Sequence, residues 1–356
     1  MARVLVLGGT SYVAQFVLQR LQQDGTLRVV SGDAVEEIEA VACTIRSQPF
    51  APLPPGFVTA KADSAPMSKR VVRAYWQVNV QDLRTLDNCI EDFRPTVVIN
   101  CAAISSPAVC QQEPEKASAI NEPRGLVALL GALTWPVRFV HLSTDFVYEG
   151  TQPNGASYHE DDAILSPDLS AYGSGKLRFD HFLLKRDSST HLQVWILRIA
   201  NVVGPGAPLF PDKSAPKFME WLHHQLFQLE NAAPLNLWSD EFRSYLYVFD
   251  LIEIMFKLLA IDPNEHTTLV NVGGVESLSR VKLGHKYLAA TAKHNPKASA
   301  AISRHIAPTS RAQVDLGYPS PLNTKLNTSR LANLLPNFMW TPTDKFLDEI
   351  SRSFLA

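Results

Sequence analysis

The sequence predicts an α/β protein built on a doubly wound parallel sheet, followed by a smaller C-terminal α+β domain. Short apolar runs of the buried-strand type alternate with segments of helical periodicity through the first 200 residues, which is typical of βαβ units. After Asn201, glycines and prolines break this rhythm, and no strong βαβ pattern returns beyond about residue 275. The contrast between the two parts predicts a sheet domain and a second, smaller domain.

The first unit of the sheet domain is a strand, a tight glycine turn and a helix. Val4–Leu7 is wholly apolar, which is typical of a strand buried on both faces. Gly8 and Gly9 follow it directly. From Tyr12 to Gln23 the apolar residues recur at helical spacing, so this segment is predicted to be the first helix.

The second parallel strand has two candidates in the sequence. These are Leu27–Val30 and Val41–Ile45, and we favour the later one, with residues 26–37 as an inserted excursion. Residues 48–70 are rich in Pro, Ala, Ser and Lys and are predicted to form an exposed loop.

The remaining elements continue the alternation. The predicted strands are Val78–Val80, Val97–Asn100, Arg138–Ser143 and Val194–Ile199. The predicted helices are Leu83–Phe93, Glu113–Leu133 with a turn or kink near Pro123, Ser170–Lys185, Lys217–Gln228 and Val248–Ala260. The two predicted domains are residues 1–200 with about 245–275, and residues 201–244 with 276–356.

Composition argues against several classes of protein. Hydrophobic residues make up 46% and charged residues 19% of the chain, which rules out global disorder. Lys and Arg number 33 against 35 Asp and Glu, a balance that does not suit nucleic acid or an anionic membrane as partner. The four cysteines form no C-x-x-C pair, and no apolar run approaches the ~20 residues of a membrane span. With a strand starting at the N-terminus and no leader expected, we predict a cytoplasmic protein.

The loop after the first strand has the spacing of a dinucleotide-binding turn. That fingerprint needs glycine at the tight turn, a minimal residue where the backbone meets pyrophosphate, and a small residue where helix packs on strand. Here the spacing is Gly8-x-x-Ser11-x-x-Ala14, and Ser11 departs because its Cβ lies where the ligand approaches. A turn that no longer binds nucleotide is the alternative. The predicted cofactor residues of this Rossmann-type turn are Gly8, Thr10, Ser11, Tyr12 and Val13.

Thr144, Tyr172 and Lys176 have the side chains that carbonyl reduction needs. Tyr172 and Lys176 are four residues apart on a predicted helix and share one face, and Thr144 follows a predicted strand. Tyr172 would protonate the carbonyl oxygen, and Thr144 would hydrogen-bond the same oxygen. Lys176 would hold ribose hydroxyls and lower the pKa of Tyr172 by about 3 units, if it lies ~4 Å away at an effective dielectric constant of ~20. The alternative is a Tyr and a Lys that merely pack on a half-exposed helix.

These motifs resemble the extended short-chain dehydrogenase/reductase superfamily. The resemblance is narrower to the dTDP-4-dehydrorhamnose reductase group, which includes the regulatory β subunit of methionine adenosyltransferase. The matching segments are Asn100–Ala103, His141–Gly150, Pro167–Lys176, Leu197–Pro205 and Pro321–Thr328. The resemblance covers nearly the whole chain and implies a nicotinamide cofactor lying along Cys101, Ala102 and Ala103. It also implies that Asn79 and Val80 lie under the adenine.

Four positions bear on the substrate that the resemblance implies. Ser320 stands where the reductases carry an arginine, and Phe146 stands where sugar-nucleotide 4,6-dehydratases carry a glutamate. An aromatic side chain cannot shuttle a proton, so a dehydratase is not expected. The reductase pattern around Asn201 usually has a tryptophan, and Asn201 is a candidate substrate ligand. Arg243 resembles an arginine that meets a substrate phosphate in the superfamily; the alternative is an ion pair with Asp240 or Glu241 at a domain seam.

The residue after the second strand decides the form of the cofactor. If that strand is Val41–Ile45, then Arg46 follows it and favours the phosphate of NADP; if it is Leu27–Val30, the nearby Asp33 makes NAD possible. The predicted function is an NADP-dependent reductase of a 4-keto sugar nucleotide or related carbonyl. The alternative is a non-catalytic NADP-binding regulatory subunit with a protein partner, for which residues 346–356 are either a docking tail or a terminal amphipathic helix. No metal site is expected.

Overall fold

A computed structural model describes residues 1–23, 28–31, 34–60, 70–152, 155–164, 169–186, 191–227, 234–262, 265–295 and 306–355. The strands are β1 Ala2–Leu7, β2 Arg28–Ser31, β3 Ala34–Ile45, β4 Phe57–Thr59, β5 Val72–Trp76, β6 Val97–Asn100, β7 Val137–Thr144, β8 Leu192–Ile199, β9 Val202–Val203, β10 Leu235–Trp238, β11 Phe242–Ser244, β12 Leu246–Tyr247, β13 Thr267–Val272, β14 Ser277–Ser279 and β15 Ile306–Thr309. The α-helices are α1 Tyr12–Gln23, α2 Leu83–Phe93, α3 Pro107–Gln112, α4 Pro114–Asn121, α5 Arg124–Gly131, α6 Ala171–Leu184, α7 Phe218–Phe227, α8 Val248–Leu259, α9 Arg280–Ala292, α10 Ser329–Leu334 and α11 Thr343–Leu355.

Within these residues, nine strands form one sheet in the order β13-β8-β7-β6-β1-β3-β5-β4, and β2 pairs with β3 at its side. The neighbours along this path are parallel, and β2 is antiparallel to β3. The strand order reverses its direction between β1 and β6, where Leu7 and Asn100 lie in register. In open parallel sheets, the crevice at such a switch point is where ligands bind. The predicted α/β fold with a doubly wound parallel sheet is confirmed.

Helices cover both faces of the sheet and bury its alternate residues. On one face, α1 and α8 pack in the same core as Val4 and Val6 of β1. On the opposite face, α2, α5 and α6 share a second core with Leu5 and Leu7. The wholly apolar sequence of β1 therefore follows from its burial on two sides.

The C-terminal part is built from small strand pairs and helices. β10 pairs with β15, β11 with β14, and β12 with β9, and α9 packs against α11. Within residues 245–275, α8 packs on one face of the sheet and β13 is the strand at one end of it. The division into two domains at the boundaries given above stays a prediction. The final helix α11 is packed rather than free, since Phe346, Leu347 and Ile350 are buried.

The preferred second strand is confirmed. Val41–Ile45 forms the end of β3 and lies next to β1 in parallel. The other candidate segment forms β2, which pairs antiparallel with the start of β3, so the described residues of the predicted excursion are two paired strands. Arg46 therefore follows the second parallel strand directly, whereas Leu27 and Asp33 lie outside the described residues.

Three predicted elements were wrong in their bounds. The third strand is β5 rather than Val78–Val80, because Val72 and Ala74 pair with β3 and the later residues lead into α2. The predicted loop at 48–70 contains β4, whose Phe57 is buried, while residues 61–69 lie outside the described part. The helix predicted over 113–133 is divided into α4 and α5, because Pro123 has no N–H to donate and disfavours helical backbone in the residue before it.

Candidate active site

The glycine turn after β1 is pressed against two neighbouring strands. Gly8 has a φ of +72°, and a Cβ there would lie 2.9 Å from the Cα of Ala102, beyond the end of β6. The Gly9 N–H donates to the Thr44 carbonyl in β3 over 2.8 Å. Because both the positive φ and the close approach exclude a side chain at position 8, this glycine is required by the fold itself.

A cavity of about 380 Å³ lies at the carboxyl ends of the central strands, between the sheet and the C-terminal part. The predicted site residues that line it are Ser11, Tyr12, Val13, Cys101, Ala103, Thr144, Tyr172, Lys176, Asn201 and Arg243. The fold thus brings ten residues from six separate segments to one cavity. The cavity runs from the glycine turn to the C-terminal strands.

Six predicted residues lie outside the lining of this cavity: Gly8, Thr10, Arg46, Asn79, Val80 and Ala102. Gly8 and Ala102 contact each other behind the turn. Val80 is buried in the second core, and the Asn79 N–H donates to the Thr85 hydroxyl over 3.3 Å. Arg46 is exposed after β3, and no hydrogen bond or ion pair joins it to another described residue.

The residues beside the glycine turn fit the diphosphate of a dinucleotide. They form the N-terminus of the 12-residue helix α1, whose first N–H groups have no partner within the helix. The Ser11 hydroxyl oxygen is buried and has no hydrogen-bond partner among the described residues. The Tyr12 hydroxyl is committed elsewhere, since it donates to the Pro205 carbonyl over 2.8 Å. Free donors are therefore gathered at this end of the cavity.

Gly173 sets Tyr172 against the turn that follows β7. A Cβ at position 173 would overlap the Phe146 carbonyl oxygen, so α6 can approach this turn only with glycine there. Ser170 caps α6 by accepting the Gly173 N–H over 3.1 Å. The Tyr172 ring then meets the Phe146 ring edge to face at 5.9 Å. This packing places Tyr172 and Thr144 in the same wall of the cavity.

The prediction that the pKa of Tyr172 is lowered was wrong. Burial raises the pKa of Tyr172, and a hydrogen bond with the Thr144 side chain opposes that rise. Lys176 is itself 2% exposed, and its Nζ donates to the Leu142 carbonyl over 2.8 Å. Burial lowers the pKa of Lys176 to about 8. Near neutral pH, Tyr172 is therefore a phenol that can donate a proton, and Lys176 is largely an ammonium.

The C-terminal wall of the cavity holds a network of charges. Arg243 donates to a carboxylate oxygen of Glu241 over 2.9 Å and to the Pro321 carbonyl over 2.7 Å. Arg280 donates to the other carboxylate oxygen of Glu241 over 2.9 Å, and its guanidinium stacks 3.9 Å from the Trp238 ring centre. Of the two interpretations of Arg243, the ion pair with Glu241 is the one observed, although Arg243 also lines the cavity.

Sequence reasoning missed four residues of this wall: Lys217, Trp238, Arg280 and Tyr318. No local motif marks them. Arg280 reaches the cavity because β14 pairs antiparallel with β11, which sets Ser279 opposite Phe242. Asp180, under Lys176, was also missed, although its place two helical turns after Tyr172 is a signal that the sequence contains.

Three further observations limit the chemistry of the described residues. No group of three or more His, Cys, Asp or Glu side chains among them is placed to hold a metal ion. The four cysteines are buried and free of disulfides. None of the helices in this part of the chain is long and apolar enough to cross a membrane.

Comparisons with known proteins agree with the fold and the motifs. The model of the NAD dependent epimerase/dehydratase family matches residues 4–273. The spore coat polysaccharide biosynthesis protein SpsK of Bacillus subtilis is 30% identical over 190 residues, which are 52% of this chain and 59% of SpsK, so the chain matches less than two thirds of that relative. Methionine adenosyltransferase 2 subunit beta of Pongo abelii is 28% identical over 271 residues, which are 75% of this chain and 73% of that protein.

A solved structure shows the same fold over the full length. The dTDP-4-dehydrorhamnose reductase of Bacillus anthracis, in complex with NADP, superposes with a TM-score of 0.68 and 15% identity, covering 99% of each chain. This similarity and the relatives above confirm the resemblance to extended short-chain dehydrogenases/reductases that the motifs indicated. The family model covers well over half of the sequence, and the chain therefore belongs to the NAD dependent epimerase/dehydratase family.

Proposed function

We propose that the protein is an NADP-dependent reductase of a 4-keto sugar nucleotide or a related carbonyl compound. The observation that carries this proposal is the grouping of Thr144, Tyr172 and Lys176 at one cavity that begins at the glycine turn. These are a proton donor, a second hydroxyl and a cation, which is the set that carbonyl reduction needs.

Three parts of the chain would hold the cofactor. The Ser11 hydroxyl and the N–H groups of the first turn of α1 suit the diphosphate, and the Lys176 ammonium suits the ribose hydroxyls. Arg46, exposed directly after β3, suits the additional phosphate of NADP, and this supports NADP over NAD. When bound, the nicotinamide supplies a hydride.

The side chains of the cavity account for the rest of the reduction. Tyr172 donates its phenolic proton to the carbonyl oxygen as negative charge develops there, and the Thr144 hydroxyl donates a second hydrogen bond to that oxygen. The Lys176 ammonium stabilises the phenolate that remains on Tyr172. The raised pKa of Tyr172 ensures that the proton is present near neutral pH.

The first test is a titration of the purified protein with NADPH and NADH, followed by nicotinamide fluorescence. We expect saturable binding at micromolar concentrations, tighter for NADPH. Turnover is then measured with dTDP-4-dehydrorhamnose, and Tyr172→Phe should lower kcat by about 10²- to 10⁴-fold while the Kd of NADPH stays within about threefold. Failure to bind either nucleotide would overturn the reductase proposal.

The second candidate is a non-catalytic NADP-binding subunit. It is favoured by the similarity to methionine adenosyltransferase 2 subunit beta, which extends over 75% of this chain. A purified methionine adenosyltransferase catalytic subunit is mixed with this protein and analysed by size-exclusion chromatography. A complex that forms equally well with Tyr172→Phe, together with NADPH binding and no turnover, would favour this candidate over the reductase.

A further inference from the structure

We propose that Asp180 is a positioning residue for Lys176: from beneath the cavity, its buried carboxylate keeps the Lys176 side chain in the ammonium form and anchors the strand end to which that ammonium is bonded. The consequence for cofactor binding rests on the proposed function. The effect on Lys176 itself does not.

Helical spacing places the two groups together. Tyr172, Lys176 and Asp180 follow one another at intervals of four residues in α6, so their side chains lie along one face of the helix. Lys176 is 2% exposed and Asp180 is fully buried. Two charges without access to water depend on the protein around them for stabilisation.

The Asp180 carboxylate holds two elements of the sheet. Its Oδ2 accepts a hydrogen bond from the Ser143 hydroxyl over 2.9 Å and another from Arg198 Nε over 2.9 Å. Ser143 lies between Leu142, whose carbonyl accepts the Lys176 Nζ, and Thr144. Asp180 is therefore bonded to the strand end that carries both the partner of Lys176 and the second hydroxyl of the cavity.

The other carboxylate oxygen of Asp180 differs from Oδ2 in its hydrogen bonding. Oδ1 is buried and accepts no hydrogen bond from any described residue. Burial raises the pKa of Asp180, and the Arg198 guanidinium in contact with it opposes the rise. An oxygen that no donor neutralises leaves the negative charge of the carboxylate available to act on the neighbouring ammonium.

The groups that surround Lys176 supply little other negative charge. Cys101 after β6 and Cys110 on α3 are thiols whose pKa burial raises, to about 12 for Cys101, so both are neutral. His141 on β7 is also neutral, because burial holds its pKa well below the ordinary value. Tyr172 on the same helix stays protonated. Among the described groups that act on Lys176, Asp180 is the carboxylate, and it opposes the effect of burial most strongly.

The test measures the protonation of Lys176 directly. Protein carrying ¹³C at the lysine ε carbon is titrated by NMR, and the Lys176 signal is assigned by its loss in Lys176→Arg. In the parent protein we expect a midpoint near pH 8. In Asp180→Asn, loss of the negative charge should lower this midpoint by about one unit or more.

Asp250→Asn is the matched control. Asp250 is a second buried carboxylate, on α8, and accepts from the Thr341 N–H over 3.0 Å and from its hydroxyl over 2.7 Å. Its replacement should lower Tm but leave the Lys176 midpoint in place. The proposal fails if Asp180→Asn leaves the midpoint unchanged, or if the control moves it equally.

A double variant covers the case in which Asp180→Asn does not fold. That single change leaves the Arg198 guanidinium as an unpaired buried charge, which is strongly destabilising. Asp180→Asn/Arg198→Gln removes both charges of the pair and keeps hydrogen-bonding groups at both positions. We expect a downward shift of the Lys176 midpoint that is smaller than in the single variant, because loss of the Arg198 charge acts in the opposite direction. An unchanged midpoint would overturn the proposal.

NADPH affinity gives the functional consequence. Since the ammonium form is the one that binds ribose, a lower Lys176 midpoint should move the loss of affinity to lower pH. With a shift of one unit, at pH 7.5 Asp180→Asn should bind NADPH about threefold more weakly than the parent protein, and at pH 6 the two should converge. If the parent protein binds no NADPH at all, the proposed function is wrong, and the NMR midpoint still decides the role of Asp180.

Discussion

The two walls of the cavity use their polar side chains in different ways. On the sheet side, the Thr144 hydroxyl donates to Asp145 Oδ1 over 3.3 Å, and the Lys176 ammonium has a single main-chain acceptor. On the C-terminal side, Glu241 holds Arg243 with one carboxylate oxygen and Arg280 with the other. The ammonium in the sheet wall therefore keeps N–H donors for a ligand, whereas the two arginines of the C-terminal wall are paired with a carboxylate of the protein.

This difference shows that a charged residue lining a cavity is not necessarily available to a ligand. Arg243 lines the cavity, yet its exposed fraction is 2% and its N–H groups donate to a carboxylate and to carbonyls. Arg280 is more accessible and stacks on Trp238. Substitutions in each wall should consequently differ in kind: those on the C-terminal side should cost stability, and those on the sheet side should change ligand binding.

The largest expected effect on stability comes from Glu241→Ala. It would leave the buried Arg243 without its carboxylate, which should lower the free energy of unfolding by about 3–5 kcal/mol. Denaturant unfolding measures this change. The control is Glu253→Ala, which breaks a half-buried pair with Arg20 at the protein surface and should cost at most about 1 kcal/mol. Equal losses in the two variants would show that the C-terminal network is no more than a surface ion pair.

Gly173→Ala should have the next largest effect. Its Cβ would overlap the Phe146 carbonyl oxygen and force α6 away from the turn after β7, at a cost of about 1–3 kcal/mol. The matched control is Gly175→Ala in the same helix, where the nearest atom, Glu122 Oε1, is 3.5 Å from the new Cβ. That variant should be neutral or stabilised by up to about 1 kcal/mol. A neutral Gly173→Ala would mean that the close approach does not position Tyr172.

Arg46→Ala tests the sheet side without touching the core. Since Arg46 is exposed and joined to no described residue, Tm should not change. NADPH should bind about tenfold more weakly, equivalent to about 1.4 kcal/mol, while NADH binding stays as it was. Parallel changes for the two nucleotides, or no change for either, would remove Arg46 from the cofactor site.

The smallest effect is expected from Ser11→Gly. It removes a Cβ beside the helix N-terminus and a buried hydroxyl oxygen that has no partner among the described residues. Both nucleotides should bind about two- to fivefold more tightly, because the diphosphate is common to them. Isothermal titration measures both affinities. Weaker binding would show instead that the Ser11 hydroxyl contributes a hydrogen bond to the ligand.

Much of the sheet was predictable because its signals are local. The apolar run of β1, the glycine after it and the periodicity of α1 lie within 23 residues; they predict the bounds of α1 and the end of β1, which begins two residues earlier than predicted. The third strand was misplaced because Val78 and Val80 have the same β-branched character as Val72. Register with β3 selects between them, and register is a property of the sheet rather than of either segment.

The sequence by itself determined the βαβ order, the glycine turn and the spacing of Tyr172, Lys176 and Asp180, since each depends on neighbours within a few residues. The tertiary structure decided which of these side chains lie close together, and whether the pKa of each is raised or lowered. Burial raises the pKa of Tyr172 where spacing alone predicted a lower one, because desolvation depends on every element that packs around the phenol. The contacts of the C-terminal wall likewise could not be predicted from local sequence, because the pairing of two strands distant in the chain brings Glu241 and Arg280 together.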